Sequence, residues 1–521
     1  MNERDASPCI ERLLLTAAGQ RAVDVASIEA GVPSVELMES AGRSAAAWIL
    51  DRWSPQRVVV LIGPGGNGGD GLVVARRLLG EGVDVRVLLL QPAEALGETS
   101  AVMLDRFERA GGRVTAVDDA SQVDRYLEGA DRIVDALFGS GLDRPLEGTY
   151  RKAVECLNAS PVPVVSLDLP SGLASDGGEL LGATVRADVT LAMAFLKPAH
   201  LLYPARSLCG NVAVTSVDYP TQSLEGIEPI ARVPEPSGIA QRLPERRPDG
   251  HKGTFGRVLV VAGSVGMSGA AILCCRAALR VGTGLVTLAA PAQLNPVLEA
   301  ALPEVITIPL PDGNGHIERL DDVRFEEAIE RADVLAIGPG LSRATETAEV
   351  VRHLVKRFDG PIVLDADGIV AFWSCPEELA AGGGDLVLTP HPGELGPLLG
   401  LSPEAIAADR IEIVRRFASG HRRVTVLKGA PTAIGLPEGS VFVNPTGNEG
   451  LGTGGTGDVL TGMLAGFLAG GAPLADAAIL SVYVHGLAAE TFARDRAVRS
   501  LIASDLVELL PTVLHEVASW S

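Results

Sequence analysis

Aromatic side chains are scarce, with four Trp, five Tyr and eleven Phe among 521 residues, whereas Gly occurs sixty times. Tight turns and close backbone approaches are therefore expected to matter more than ring packing. The six cysteines, Cys9, Cys156, Cys209, Cys274, Cys275 and Cys375, form no CxxC pair and no Cys/His cluster at zinc spacing. Scattered thiols in a long chain point to a reducing, cytoplasmic setting. Basic residues are outnumbered, 44 Lys and Arg against 65 Asp and Glu, for a formal charge of −21. That balance argues against a broad role on nucleic acid or anionic membranes. It leaves room for a phosphorylated small molecule, which a few backbone amides can bind. Arg276 and Arg280 interrupt the longest apolar stretch, so no membrane span is expected. The charged opening MNERDASPCIERLLLTAAGQ does not read as a secretory signal. GxxxxGK[ST], HExxH and GxSxG are all missing, which argues against a Walker-type phosphate loop, a zinc protease and a hydrolase elbow.

What is present is an α/β pattern written twice. A chain of this length predicts two domains, and an apolar fraction of 47% with 21% charged residues is that of a globular protein. Residues 20–53 predict two amphipathic helices, separated by Pro33 and with Ser34 as a cap. Strands are expected at 57–62, 84–90, 132–137 and 162–168, with helices near 71–81, 98–111 and 148–159. Continuous apolar strands alternating with helices predict a parallel sheet covered on both faces. Residues 222–250 carry five prolines and no sustained period, and read as a linker. A second, larger α/β domain follows. Its strands are expected at 257–263, 285–291, 333–340, 361–368, 385–394, 424–429 and 441–445, and its helices from about Ser268 and near 458–470, 474–494 and 503–518.

In the first half, three loops follow predicted strands, where open α/β sheets bind ligands. The first, 63-GPGGNGGDG-71, satisfies GxGxxG through Gly63, Gly65 and Gly68. A dinucleotide reading, however, wants an acid at the end of the second strand, which instead ends in Gln91 and Pro92. Asn67 and Asp70 sit among these glycines. Asp135 precedes 139-GSGLDRP-145, and Asp168 and Ser171 occupy 168-DLPSG-172. Any one of these acids could be a helix cap or turn former; three loops at one sheet edge predict a pocket.

In the second half, 452-GTGGTGD-458 sets glycines before a helix whose unpaired amides can hold an anion. An acid in that place, Asp458, can take a hydroxyl proton during phosphoryl transfer. As a mere N-cap it would contribute about 1 kcal/mol and would not require the glycines.

The blocks GNGGDG, DALFGSG, DLPSG and 187-ADVTLAMAFLKP-198 resemble the NAD(P)H-hydrate epimerase domain. The blocks 251-HKGTFGRVLVVAGS-264, GPGL, DADG, TPHPGE, KGAPT and GGTGDVLTG resemble the ADP/ATP-dependent NAD(P)H-hydrate dehydratase, a ribokinase-like domain. The resemblance implies a Rossmann-like domain over 1–224 that interconverts the R and S hydrates of NADH and NADPH. It implies a second domain over 230–521 that dehydrates the S form at the expense of ADP or ATP. It further implies potassium on Asn67, Asp135 and Ser171. Substrate contacts would come from Gly66, Asn67, Gly68, Gly69 and Asp70, from Gly139, Ser140, Gly141, Leu142, Asp143, Arg144 and Pro145, and from Asp168. Asp188 and Lys197 would be the epimerase's catalytic residues, although Lys197 could equally be a snorkelling surface lysine. In the dehydratase, Asp458 would be the base. Ala270, Gly340, His391 and Asp458 would contact the hydrate, and Lys428, Gly429, Ala430, Pro431, Thr432 and Gly457 the nucleotide. Asn448 and Glu449 are candidate magnesium-side groups.

Two departures stand out. Ser342 follows GPGL where a glycine is usual, and Pro431 removes a backbone donor from KGAPT. The partners expected are small molecules, with neither nucleic acid nor membrane, in a homo-oligomer. The competing readings are a ribokinase-like small-molecule kinase of the thiazole or hydroxymethylpyrimidine type, and a non-catalytic binding module in the first half.

Overall fold

The computed structural model describes residues 11–117, 119, 122–381 and 384–520, and the chain divides into two compact units. One spans Leu13–Ile230; the other comprises Ala231 onward, with Glu11 and Arg12 joined to it. No helix among the described residues is long and apolar enough to cross a membrane.

The first unit holds a seven-stranded sheet, all of whose pairings are parallel. Its order is Val114–Ala116, Asp84–Leu89, Arg57–Ile62, Arg132–Ala136, Val164–Leu167, Val189–Met193 and Asn211–Thr215. Helix Gly66–Gly80 buries Leu72, Val73, Val74, Ala75 and Leu78 in the core on one face. Helix Gly148–Ala159 supplies Ala153, Val154 and Leu157 to the core on the other. The two expected opening helices are Ala17–Glu29 and Ser34–Trp53, with Pro33 in the cap position and Ser34 already inside the second.

The second unit's sheet runs Ala231–Pro234, Val441–Val443, Ala433–Gly435, Val424–Leu427, Leu386–Leu388, Ile362–Leu364, Val334–Ile337, Arg257–Val261, Leu285–Pro291 and Ile306–Leu310. Val424–Leu427, Ala433–Gly435 and Val441–Val443 pair antiparallel, and the other pairings named are parallel. Helices Ser268–Arg280, Thr456–Ala469, Leu474–Ala493 and Ala503–Ala518 build the large core beside it. The stretch expected to be linker is partly structured. Arg232 pairs with Phe442, and helix Pro236–Arg242 buries Ile239. The sequence offered too few residues there for a period to register.

Candidate active sites

In the first unit, the carboxyl ends of the central strands surround a cavity of about 600 Å³. Its wall includes Gly66, Asn67, Asp70, Gly139, Ser140, Gly141, Leu142 and Asp168. Asp168 follows strand Val164–Leu167 and adopts φ +62°. Its Oδ2 accepts the Ser140 N–H at 2.8 Å, and its Oδ1 accepts a hydrogen bond from Lys197 Nζ at 2.6 Å. Burial pushes this carboxyl up, but the Lys197 charge and hydrogen bond outweigh it and hold it below its ordinary value. Lys197 is fully buried and also donates to the Phe195 carbonyl at 3.0 Å, so it does not snorkel. His200 Nδ1 accepts the Lys197 N–H, which leaves Nε2–H to donate to the Asp168 carbonyl at 2.7 Å. Burial holds that ring neutral, its pKa lowered to about 4.

Asp135, also buried, accepts from Ser171 Oγ at 2.6 Å, Ser171 N at 2.9 Å and Ser166 Oγ at 2.8 Å. Asn67, on the cavity wall, keeps both amide atoms buried without a protein partner. A Cβ on Gly139 would lie 2.8 Å from Asp168 Oδ2 and 3.3 Å from the Asn67 amide carbon. Glycine is what lets these groups meet.

In the second unit, Asp365, Thr389 and Lys428 follow three adjacent parallel strands. Asp365 Oδ1 accepts from Lys428 Nζ and Thr389 Oγ1, both at 2.7 Å. Its Oδ2 accepts from Thr461 Oγ1 at 2.7 Å, one turn into helix Thr456–Ala469. A Cβ on Gly457 would sit 3.4 Å from Lys428 Nζ, so the ammonium lies against the start of the helix. Asp458, in that same first turn, has its carboxyl raised to about 7, chiefly by burial and then by the negative charge of Asp365. Glu394 is raised by burial and accepts the His391 N–H at 2.7 Å. Gly340 and Ala270 are neighbours, a Cβ on the glycine falling 3.1 Å from that of the alanine.

Two family profiles match, NAD(P)H-hydrate dehydratase over residues 258–512 and YjeF-related protein N-terminus over residues 34–199. A bifunctional NAD(P)H-hydrate repair enzyme of Moorella thermoacetica is 39% identical over 513 residues, with 96% of each chain covered. The chain belongs to the bifunctional NAD(P)H-hydrate repair enzyme family. Its Escherichia coli relative is 32% identical over 486 residues, covering 93% of this chain and 90% of that one. The crystal structure of a Bacillus subtilis ADP/ATP-dependent NAD(P)H-hydrate dehydratase, co-crystallised with ATP and Mg2+, is 32% identical with a TM-score of 0.47. It covers 54% of this chain and 97% of that one. Epimerase and dehydratase thus occupy the first and second halves, and the small-molecule kinase and binding-module readings fall away.

Not every residue anticipated for this repair enzyme joins its site. Asp188 is exposed and precedes strand Val189–Met193, at the end of the sheet away from the cavity. Its carboxylate accepts the Val164 N–H at 2.7 Å, which ties two strand starts together. That placement corrects its assignment as a catalytic residue. Asp143, Arg144 and Pro145 are exposed and outside the cavity wall. Gly68 and Gly69 face packing contacts: a Cβ would lie 2.1 Å from the Gly63 carbonyl oxygen and 2.4 Å from Met38 Sδ, respectively.

In the dehydratase half, Asn448 spends its amide on the Gly450 N–H at 3.1 Å and the Ala489 carbonyl at 2.8 Å, while Glu449 is exposed. His391 is exposed and caps helix Pro392–Leu399 through Nδ1. Gly429, Ala430, Pro431 and Thr432 form one turn. Thr432 Oγ1 donates to the Gly429 carbonyl at 3.2 Å, and the buried Arg410 donates to the Pro431 carbonyl at 2.6 Å.

Sequence reasoning did not single out Asp365 or Arg410. It also missed the cavity-lining pair Asp24 and Tyr219, whose hydroxyl donates to Asp24 at 2.6 Å. Asp365 lay inside a quoted block, and its position directly after a strand was the available signal. Asp24 and Tyr219 come from segments 195 residues apart with no motif to join them.

Proposed function

We propose that Asp458 is the general base of the dehydratase, and the observation that carries this is its half-buried place in the glycine loop's helix. The ring hydroxyl of the S hydrate attacks the terminal phosphorus of the adenine nucleotide. An oxygen–phosphorus bond forms as the bond to the leaving nucleotide breaks, and the hydroxyl proton passes to Asp458. Phosphate then departs with its C–O bond as the adjacent carbon gives up a proton, which restores the dihydronicotinamide double bond. Amides at the helix start, including that of Gly457, take the developing charge. Lys428 to Thr432 hold the nucleotide, and Ala270, Gly340 and His391 hold the hydrate. Magnesium on the nucleotide phosphates would neutralise charge there, with the exposed Glu449 as a candidate carboxylate for it.

In the epimerase half, the hydroxyl-bearing ring carbon sits beside the ring nitrogen. The nitrogen lone pair can expel the protonated hydroxyl as water, and the iminium carbon so formed can add water on the opposite face and release a proton. The cavity around Asn67, Asp70 and Asp168 supports this reading. Asn67 Oδ1, the Asp135 carboxylate and Ser171 Oγ fit potassium, since they are hard oxygen donors and the Asn67 amide has no protein partner. The ion would fix charge and order the loops. A cytoplasmic homo-oligomer belongs to the same reading; among the described residues Cys156, Cys209, Cys274, Cys275 and Cys375 form no disulfide, in keeping with a reducing compartment.

The test is Asp458→Asn, assayed for loss of hydrate with ATP and with ADP. Turnover is expected to fall by at least about a hundredfold with nucleotide binding retained. Wild-type kcat is expected to rise as the pH passes through about 7, because the base acts only when deprotonated. Near-normal turnover in the variant would remove Asp458 from the chemistry.

A further inference from the structure

We infer that Asp365 is a positioning residue for phosphoryl transfer: it holds the Lys428 ammonium at the start of helix Thr456–Ala469, where that cation meets the transferring phosphoryl group rather than the adenine. This deepens the reading of Asp458 as base and rests on it for the identity of the step.

The geometry begins with three donors converging on one buried carboxylate. Thr389 and Lys428 come from the neighbouring strand ends and share Oδ1; Thr461 comes from the helix and takes Oδ2. Asp365 is 1% exposed, and three protein donors hold its two oxygens in place. Its role is exerted on Lys428. The ammonium gives one hydrogen to Asp365, and Glu394 Oε2 stands farther off at 3.8 Å. Two hydrogens are left for a ligand.

Those hydrogens lie beside Gly457, where a Cβ would be 3.4 Å from Nζ and 4.0 Å from Asp365 Oδ2. The helix's unpaired amides begin there, so ammonium and helix terminus address the same anion. An adenine ring is neutral and does not call for a buried cation; a phosphoryl group moving between oxygens does. The site is otherwise acidic. Facing Asp458 are the carboxylates of Asp365, Asp367 and Glu394, the Lys428 ammonium and the Cys274 thiol of helix Ser268–Arg280. His485, buried and holding the Thr456 carbonyl at 2.9 Å, stays neutral with its pKa lowered to about 4. Lys428 is the cation in this set. Burial works against its charge, but Asp365 and then Glu394 outweigh it and keep it protonated.

Asp365 and Lys428 act on Asp458 with opposite signs. The Asp365 charge raises the Asp458 carboxyl and the Lys428 charge lowers it. Removing Asp365's charge therefore shifts the rising limb of kcat to lower pH, and removing Lys428's charge shifts it to higher pH.

The experiment measures kcat and nucleotide KM against pH for the full chain, as wild type, Lys428→Met, Asp365→Asn and the double variant. Lys428→Met is expected to lower kcat about a hundredfold or more, with KM changed far less. Asp365→Asn is expected to lower kcat and move the limb in the acid direction. Because Asp365 works through Lys428, adding Asp365→Asn to Lys428→Met is expected to change kcat little further. If Asp365→Asn alone fails to fold, the double variant against Lys428→Met still reads the coupling, since it leaves no lone buried lysine. Two independent losses that multiply, or a limb that stays in place in Asp365→Asn, would overturn the proposal. If Asp458 is not the base, the wild-type limb is absent, yet the coupling still reports Asp365's hold on Lys428.

Discussion

Ser342 shows how one residue can depart from a family pattern and leave a trace in the backbone. It follows GPGL, where a glycine is usual, and its φ is +81°. In the left-handed region an L side chain brings Cβ toward the neighbouring carbonyl, at a cost of about 1–2 kcal/mol. The loop holds it there: the Ser342 N–H donates to Asp367 Oδ2 at 3.0 Å, and its Oγ accepts the Ala344 N–H at 3.3 Å. Ser342→Gly is expected to relieve the strain. Part of the gain returns as the larger entropy of glycine in the unfolded chain, leaving a net stabilisation of up to about 1 kcal/mol. Thermal denaturation checks this, and an unchanged or lower midpoint would mean that the lost serine hydrogen bond matters more. At this scale the place of Asp458 in the first turn of its helix was legible because glycine spacing, helix onset and acid coincide in one short segment. Asp188 was misplaced because its segment was read without asking which end of the strand it stood at. Preceding the strand, it could not reach a ligand held at the carboxyl ends.

Among the elements, the Asp458 helix depends on how closely it lies against helix Ser268–Arg280. Gly462 and Gly466 make that approach possible. A Cβ on Gly462 would be 2.1 Å from the Cys274 carbonyl oxygen, and one on Gly466 would be 2.3 Å from Val281 Cγ2. The first clash is with backbone, which cannot swing aside as a side chain can. Gly462→Ala is therefore expected to destabilise the unit by about 1–3 kcal/mol despite the better helix propensity of alanine. It should also weaken turnover by displacing Asp458, one turn earlier. Denaturant midpoint and kcat measured together test this; a variant as stable as wild type would show that the helices can separate without cost. The helix itself was easy to foresee from its apolar run. The close approach was not, because a glycine inside a helix gives no sign of which backbone it faces. The short strand Ala231–Pro234 was lost for a related reason: its pairing partner, Phe442, lies some two hundred residues away.

For the whole molecule, carrying two enzymes on one chain has a chemical rationale. A dehydratase that takes one epimer leaves the other behind, and the epimerase returns it to use. Supplied with mixed R and S hydrates and excess nucleotide, the wild-type chain is expected to consume both forms. Asp168→Ala removes the carboxylate at the centre of the first cavity, so its fast phase should stop when the S form is exhausted. The R form should then be drawn down only at the slow spontaneous rate. Asp458→Asn should give the reverse, interconverting the two hydrates while destroying neither. Replacing potassium with a large organic cation should mimic Asp168→Ala if Asn67, Asp135 and Ser171 hold the ion. Chiral separation of the remaining hydrate over time distinguishes these outcomes. An Asp168→Ala chain that consumes both epimers as fast as wild type would show that the first cavity is not where they interconvert.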